Sequence, residues 1–280
     1  MSVWADGRRW VALLVGVLAM PLTTVTSWAA PAPEAWALWD DHAPDDSAHI
    51  DHRAWQEFLD GYLLAGPDGV NRVAYGAVTP EDRQRLQSYL QALADMDPRH
   101  YAKAEQMAYW INLYNALTVE VVLSYPGKGS ILRMGKKRLA IGPWDDKLVE
   151  IAGEAVSLND IEHRILRPIF RDHRIHYAVN CASISCPNLV PEAYTRDNIE
   201  RLLAANEVSY INHQRGVRFA ADGRLVLSQI FQWYRDDFAA DREALLAYLS
   251  RHHGALAQAL VSYDGRIKYA YDWTLNSPQD

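Results

Sequence analysis

The chain has 280 residues, a length that fits one large domain or two small ones. Hydrophobic residues at 49% and charged residues at 22% exclude a disordered chain. A formal charge of −7 with no long Lys/Arg run argues against a general nucleic-acid binder, whose affinity would rest on phosphate neutralisation.

Arg8 and Arg9 precede an apolar run, Trp10 to Met20, and Ser27-Trp28-Ala29 forms a small-x-small end. This layout predicts a secretory signal over residues 1–29, too short in its apolar part to span a bilayer. Cleavage after Ala29 would remove Arg8, Arg9 and Asp6 and make the chain one unit more negative. The predicted mature protein is periplasmic or secreted, with no membrane span. Residues 30–48, rich in Pro, Ala and Asp, read as a loose linker, and 49–280 as a single globular domain.

A helix is predicted from Asp51, with Trp55, Phe58, Leu59, Tyr62 and Leu63 on one face. Gly66 to Gly69 stops it, and Val70 to Tyr75 reads as a short strand. Thr79-Pro80 starts a second helix, with Thr as N-cap and Pro in the first turn. Ala104 to Tyr125 is apolar nearly all round and reads as the central helix. Residues 128–147 read as a basic surface loop, and a hairpin is predicted about Gly153. Ser157 to Asp160 caps a helix that Pro168 closes. Arg174 to Asn180 alternates like a strand, and Thr195 starts a helix to Ile211. Asp222-Gly223 signals another hairpin. Ser228 caps the aromatic segment Ile230 to Tyr234. Asp241 to His253 reads as a helix and Arg266 to Tyr271 as a strand. Runs of helices and short strands predict an α+β fold, a single helix-rich domain with a small antiparallel or mixed sheet.

Three constellations carry chemistry. Asn112 and Asn115 lie three residues apart in the most apolar helix, where an unpartnered amide costs roughly 1–3 kcal/mol. They orient a catalytic group or ligand, or they tie a loop to the core. Glu162 falls within the apolar stripe of its helix at 100° per residue, with His163 on the flank. A carboxylate there acts in the site or pairs with an Arg, Arg167 or Arg174. The third is Arg174 to Pro187, which holds both cysteines of the chain, Cys181 and Cys186, with His176. A disulfide, a thiolate nucleophile and a metal site drawing on His163, His173, His176 and both cysteines are all open. On a regular strand His176 faces away from Cys181, which makes His163 the better base. The sequence has no phosphate-binding glycine loop, serine elbow or His-Glu-x-x-His, so no cofactor is assigned.

Five segments add up to a resemblance: Tyr109 to Ala116, Leu158 to Arg167, Arg174 to Pro187, Phe231 to Phe238 and Tyr271 to Asn276. Together they resemble the family called domain of unknown function 547, over roughly residues 50 to 276. The resemblance implies a shared site at Asn112, Asn115, Glu162, His163, His176, Cys181 and Cys186, and no settled activity. The lead reading is a cysteine-dependent hydrolase or acyl-transfer enzyme, similar in logic to papain-like and transglutaminase-like enzymes. Cys181 (or Cys186) attacks a carbonyl, His163 or His176 takes the proton, and Asn112, Asn115 or Glu162 orients the imidazole. The expected ligand is a small molecule or peptide. The alternatives are an exported binding protein with a structural disulfide and a metal-binding protein.

Overall fold

A computed structural model describes residues 30–44, 48–136 and 141–278. The predicted signal sequence and part of the basic loop therefore lie outside the described residues. The fold is α+β and helix-rich. Helices α1 (Arg53–Tyr62), α2 (Pro80–Ala94) and α3 (Lys103–Ser124) surround the larger hydrophobic core. Thr79 caps α2 as its sequence predicts, its Oγ1 accepting from Asp82 N at 3.1 Å. Helix α3 is buried from Glu105 to Val119, which explains why it is apolar on every side.

Among the described residues the strands form three small sheets. Strand β1 (Leu63–Ala65) pairs with β2 (Asn71–Val73), and β3 (Val149–Ile151) pairs with β4 (Glu154–Val156) across a turn where Gly153 has φ +84°. Strand β1 takes up the end of the apolar face that reads as helix in sequence. After α4 (Ile199–Asn212), β5 (Val217–Phe219) and β6 (Leu225–Ser228) form the Asp222-Gly223 hairpin. Two single-turn helices follow, α5 (Ile230–Trp233) and α6 (Arg235–Phe238), then α7 (Arg242–His252) and α8 (Ala257–Val261). Strand β7 (Lys268–Ala270) adds to β6 in parallel, so this sheet is mixed. These elements enclose the second hydrophobic cluster. No described helix is long and apolar enough to cross a membrane.

Two predicted elements differ in kind. The helix after Ser157 is a π-helix, Asp160–Phe170, and it runs through Pro168 rather than stopping before it. Residues 174–180, read as a strand, instead begin with a 3-10 helix, His173–Tyr177. Asp172 caps it, accepting from Arg174 N at 2.9 Å, and that local hydrogen bond outcompetes the alternation.

The described part of the predicted linker, residues 30–44, packs on the fold. Glu34 N donates to His163 O at 3.1 Å and Trp36 N to Arg164 O at 2.9 Å. Pro168 has no N–H to give to the carbonyl four or five residues before it, so the π-helix has acceptors to spare at this point. Trp39 anchors the segment, only 1% exposed, edge-on to Trp110 of α3. Composition alone hides this, because the buried Trp39 and the half-buried Trp36 outweigh a Pro/Ala/Asp background.

Candidate functional site

The cysteine loop is held from every side. From α3, Asn115 donates Nδ2–H to Ala178 O at 3.0 Å and accepts from Asn180 N at 2.8 Å. Asn180 in turn accepts from Ala182 N at 2.9 Å and donates to Pro187 O at 2.7 Å. Arg215 donates to the carbonyls of Ile184 and Cys186, at 2.9 and 2.8 Å. Ala182 takes a left-handed backbone, φ 55°, which curls the chain between the cysteines. Residues beyond β7 run antiparallel beside the loop. Ile184 N donates to Thr274 O, Ser185 N to Asp272 O, and Asn276 N to Ala182 O.

That pairing brings Tyr271 to Cys181. The Cys181 sulfur lies 3.0 Å from Tyr271 OH, 3.1 Å from Ser183 Oγ and 3.0 Å from Cys186 Sγ. No disulfide joins the two cysteines in this structure. Burial would raise the Cys181 thiol, but its hydrogen bonds with Cys186, Ser183 and Tyr271 outweigh it and pull the thiol below its usual range. Cys186 is pushed well above its usual range by burial and by Cys181, so it keeps its proton. Tyr271 is likewise raised, by burial first, and stays a donor.

The imidazoles come from the π-helix and the 3-10 helix. His163 is buried rather than on a flank, because the wider π turn and residues 34–36 bring it inside. Arg167 Nη1 lies 3.2 Å from His163 Nδ1. A guanidinium only donates, so Nδ1 is the acceptor and Nε2 carries the proton of the neutral ring. Burial lowers the His163 pKa, Glu162 opposes this and Arg167 reinforces it. His176 Nε2 donates to Asp237 Oδ2 at 2.7 Å, and its ring stacks on Tyr234 at 3.9 Å. Its Nδ1 faces Glu162 Oε1 at 3.7 Å, beyond hydrogen-bond length. Arg167 grips Asp237 through two bonds, at 2.6 and 3.1 Å, and so connects both imidazoles.

Glu162 has neither of its expected arginines. Arg167 takes Asp237, and Arg174 takes Asp172 and Glu200. Glu162 accepts from Tyr114 OH at 3.2 Å instead. Burial would raise its pKa, but His163 and His176 outweigh it and hold the carboxyl down at about 2.

Cys181, Cys186, Glu162, His163 and His176 share the wall of one cavity of about 210 Å³. Trp144, Trp233 and Trp273 form its aromatic side, and Ala30 and Pro31 form part of its rim. Asn112 and Asn115 stand behind it and touch neither imidazole. Asn112 exchanges two hydrogen bonds with the Tyr194 backbone, at 2.7 and 3.0 Å. The imidazole orienters are Arg167 and Asp237. Asp237 and Tyr271 belong to segments singled out in the sequence, but nothing there says which side chain reaches the site. Among the described residues no three His, Cys, Asp or Glu side chains converge to hold a metal ion, and His173 bonds Glu207 at 2.8 Å instead. Nor does any imidazole lie within hydrogen-bond distance of Cys181 Sγ among them.

Residues 98–211 match the model of a family described as "Protein of unknown function, DUF547". The matched stretch contains all seven residues expected at the site from the sequence, and three of the five resembling segments. No curated protein and no solved structure matches the chain.

Proposed function

We propose that this chain, which carries a DUF547 family domain, is an exported cysteine-dependent acyl-transfer or hydrolytic enzyme with Cys181 as nucleophile. One observation carries the reading. The Cys181 thiol is held by three hydrogen-bonding groups, lowered in pKa, and set on a cavity wall shared with two histidines and a carboxylate. Export rests on the Arg8-Arg9, apolar and small-x-small order of residues 1–29.

The chemistry divides among the side chains by their protons. The Cys181 thiolate attacks an ester, thioester or amide carbonyl and the C–S bond forms. Negative charge builds on the carbonyl oxygen, and a neutral His163 offers its Nε2–H to that oxygen as a donor rather than a base. His176 keeps the Asp237–Arg167 pair in register beneath Tyr234. The leaving group departs with a proton from cavity water, and water or an acceptor amine then opens the thioester. Thus a thiol that ionises through its own hydrogen bonds does not depend on an imidazole against the sulfur.

The test uses reduced protein and a panel of p-nitrophenyl esters and aryl thioesters. Turnover falls by roughly 10³-fold or more in Cys181→Ser. Turnover unchanged in that variant overturns the reading. N-terminal sequencing of exported protein beginning at Ala30 tests the processing. The aromatic wall favours a second reading, ligand binding without turnover. It predicts saturable binding that Cys181→Ser leaves intact.

A further inference from the structure

The two sulfurs are unequal neighbours. Both line the cavity, but Cys181 is half-buried whereas Cys186 is only 4% exposed. Their Sγ atoms are 3.0 Å apart, about 1 Å more than a disulfide bond. The curl at Ala182, the Cys186 N to Ser183 O turn and the Arg215 bonds fix the loop with the sulfurs facing each other. A small reactant entering the cavity meets Cys181 first. Any group it leaves on that sulfur lies within reach of Cys186.

We propose that the pair is a reversible redox centre for hydroperoxides, with Cys181 the attacking thiol and Cys186 the resolving thiol. The proposal rests on the reading of Cys181 as the reactive thiol. The Cys181 thiolate attacks one peroxide oxygen. An S–O bond forms, the O–O bond breaks, and the alcohol leaves with a proton from water. Sulfur is oxidised by two electrons to sulfenic acid and the peroxide is reduced. Cys186 sulfur then attacks Cys181 sulfur. The S–S bond forms, the S–O bond breaks, and hydroxide leaves as water with the Cys186 thiol proton. A dithiol reductant restores both thiols by exchange. The disulfide removes the nucleophile, so acyl chemistry stops while the bond lasts. It also spares Cys181 the irreversible steps to sulfinic and sulfonic acid.

The test exposes reduced full-length protein to stoichiometric hydrogen peroxide. The expected result is loss of two hydrogens by mass, loss of both thiols to alkylation, and a Cys181–Cys186 peptide on mapping, all reversed by dithiothreitol. Dimedone should trap sulfenic acid at Cys181 in Cys186→Ser and Cys186→Ala but scarcely in the unmodified protein. Peptide mapping of the unmodified protein needs no variant, so a folding defect cannot mask the answer. Dimedone adduct accumulating on Cys181 while Cys186 stays free overturns the proposal. So does a disulfide that dithiothreitol cannot open. If esters are turned over but peroxide never pairs the sulfurs, only this proposal fails. If peroxide pairs them but no ester is turned over, the redox centre stands and the acyl reading fails. A Cys181 inert to both sinks both.

Discussion

At the scale of single residues, Cys181 acquires its chemistry from neighbours far apart in the chain. Tyr271 arrives from 90 residues away, and Ser183 from only two. A charge-assisted hydrogen bond contributes roughly 1.5–3 kcal/mol, so removing one should raise the thiol pKa by about one to two units. Tyr271→Phe and Ser183→Ala are each expected to shift the pH profile of Cys181 alkylation upward by that amount. An unmoved profile in both variants would show that these hydroxyls do not hold the thiolate. Asp237 is the other decisive residue, bonded to Arg167 and to His176. Its side chain is 20% exposed, so a broken pair costs less than one in the deep interior. Asp237→Asn should lower stability by about 2 kcal/mol in urea titrations. The types of these residues are visible in sequence. Their convergence is not, because periodicity places a side chain on a face of its own element and says nothing about which distant element lies opposite.

At the scale of elements, local signals were the legible ones. Thr79-Pro80 announces α2, Gly153 and Asp222-Gly223 announce their hairpins, and the all-round apolarity of residues 104–125 announces a buried helix. Each is a short-range effect of capping, turn geometry or burial. The π-helix was not legible. A period of 100° puts His163 on a flank, whereas the wider turn and residues 34–36 bury it. That contact is itself testable. The Glu34 side chain is exposed, and its role here is the backbone N–H given to His163 O. Glu34→Ala should be nearly neutral, while Glu34→Pro, which deletes the N–H, should cost about 1 kcal/mol in chemical denaturation. Equal effects from the two substitutions would show that the carbonyl does not need this donor.

At the scale of the whole molecule, acid sensitivity follows from histidines kept neutral. Burial lowers His52 to about 4, its Nδ1 lying 2.7 Å from Tyr89 OH. Between the ordinary histidine value and about 4, the unfolded chain binds a proton that the folded chain does not. Stability therefore falls as pH drops through that window and is complete above it, at up to about 1.4 kcal/mol per pH unit for one such group. Burial lowers His163 in the same direction. The urea midpoint should decline from pH 6.5 toward pH 4, and His52→Gln should flatten part of that decline. A slope identical in the variant would remove His52 from the account. The antiparallel run of residues 272–276 beside the cysteine loop has a consequence in time. Chains grow from the N-terminus at roughly 5–20 residues per second. The 90 residues between Cys181 and Tyr271 thus take roughly 5–20 s to make. Over that interval the thiol lacks its phenol donor and its loop lacks the strand that backs it. Nascent chains therefore carry a cysteine closer to the ordinary thiol than the finished protein does.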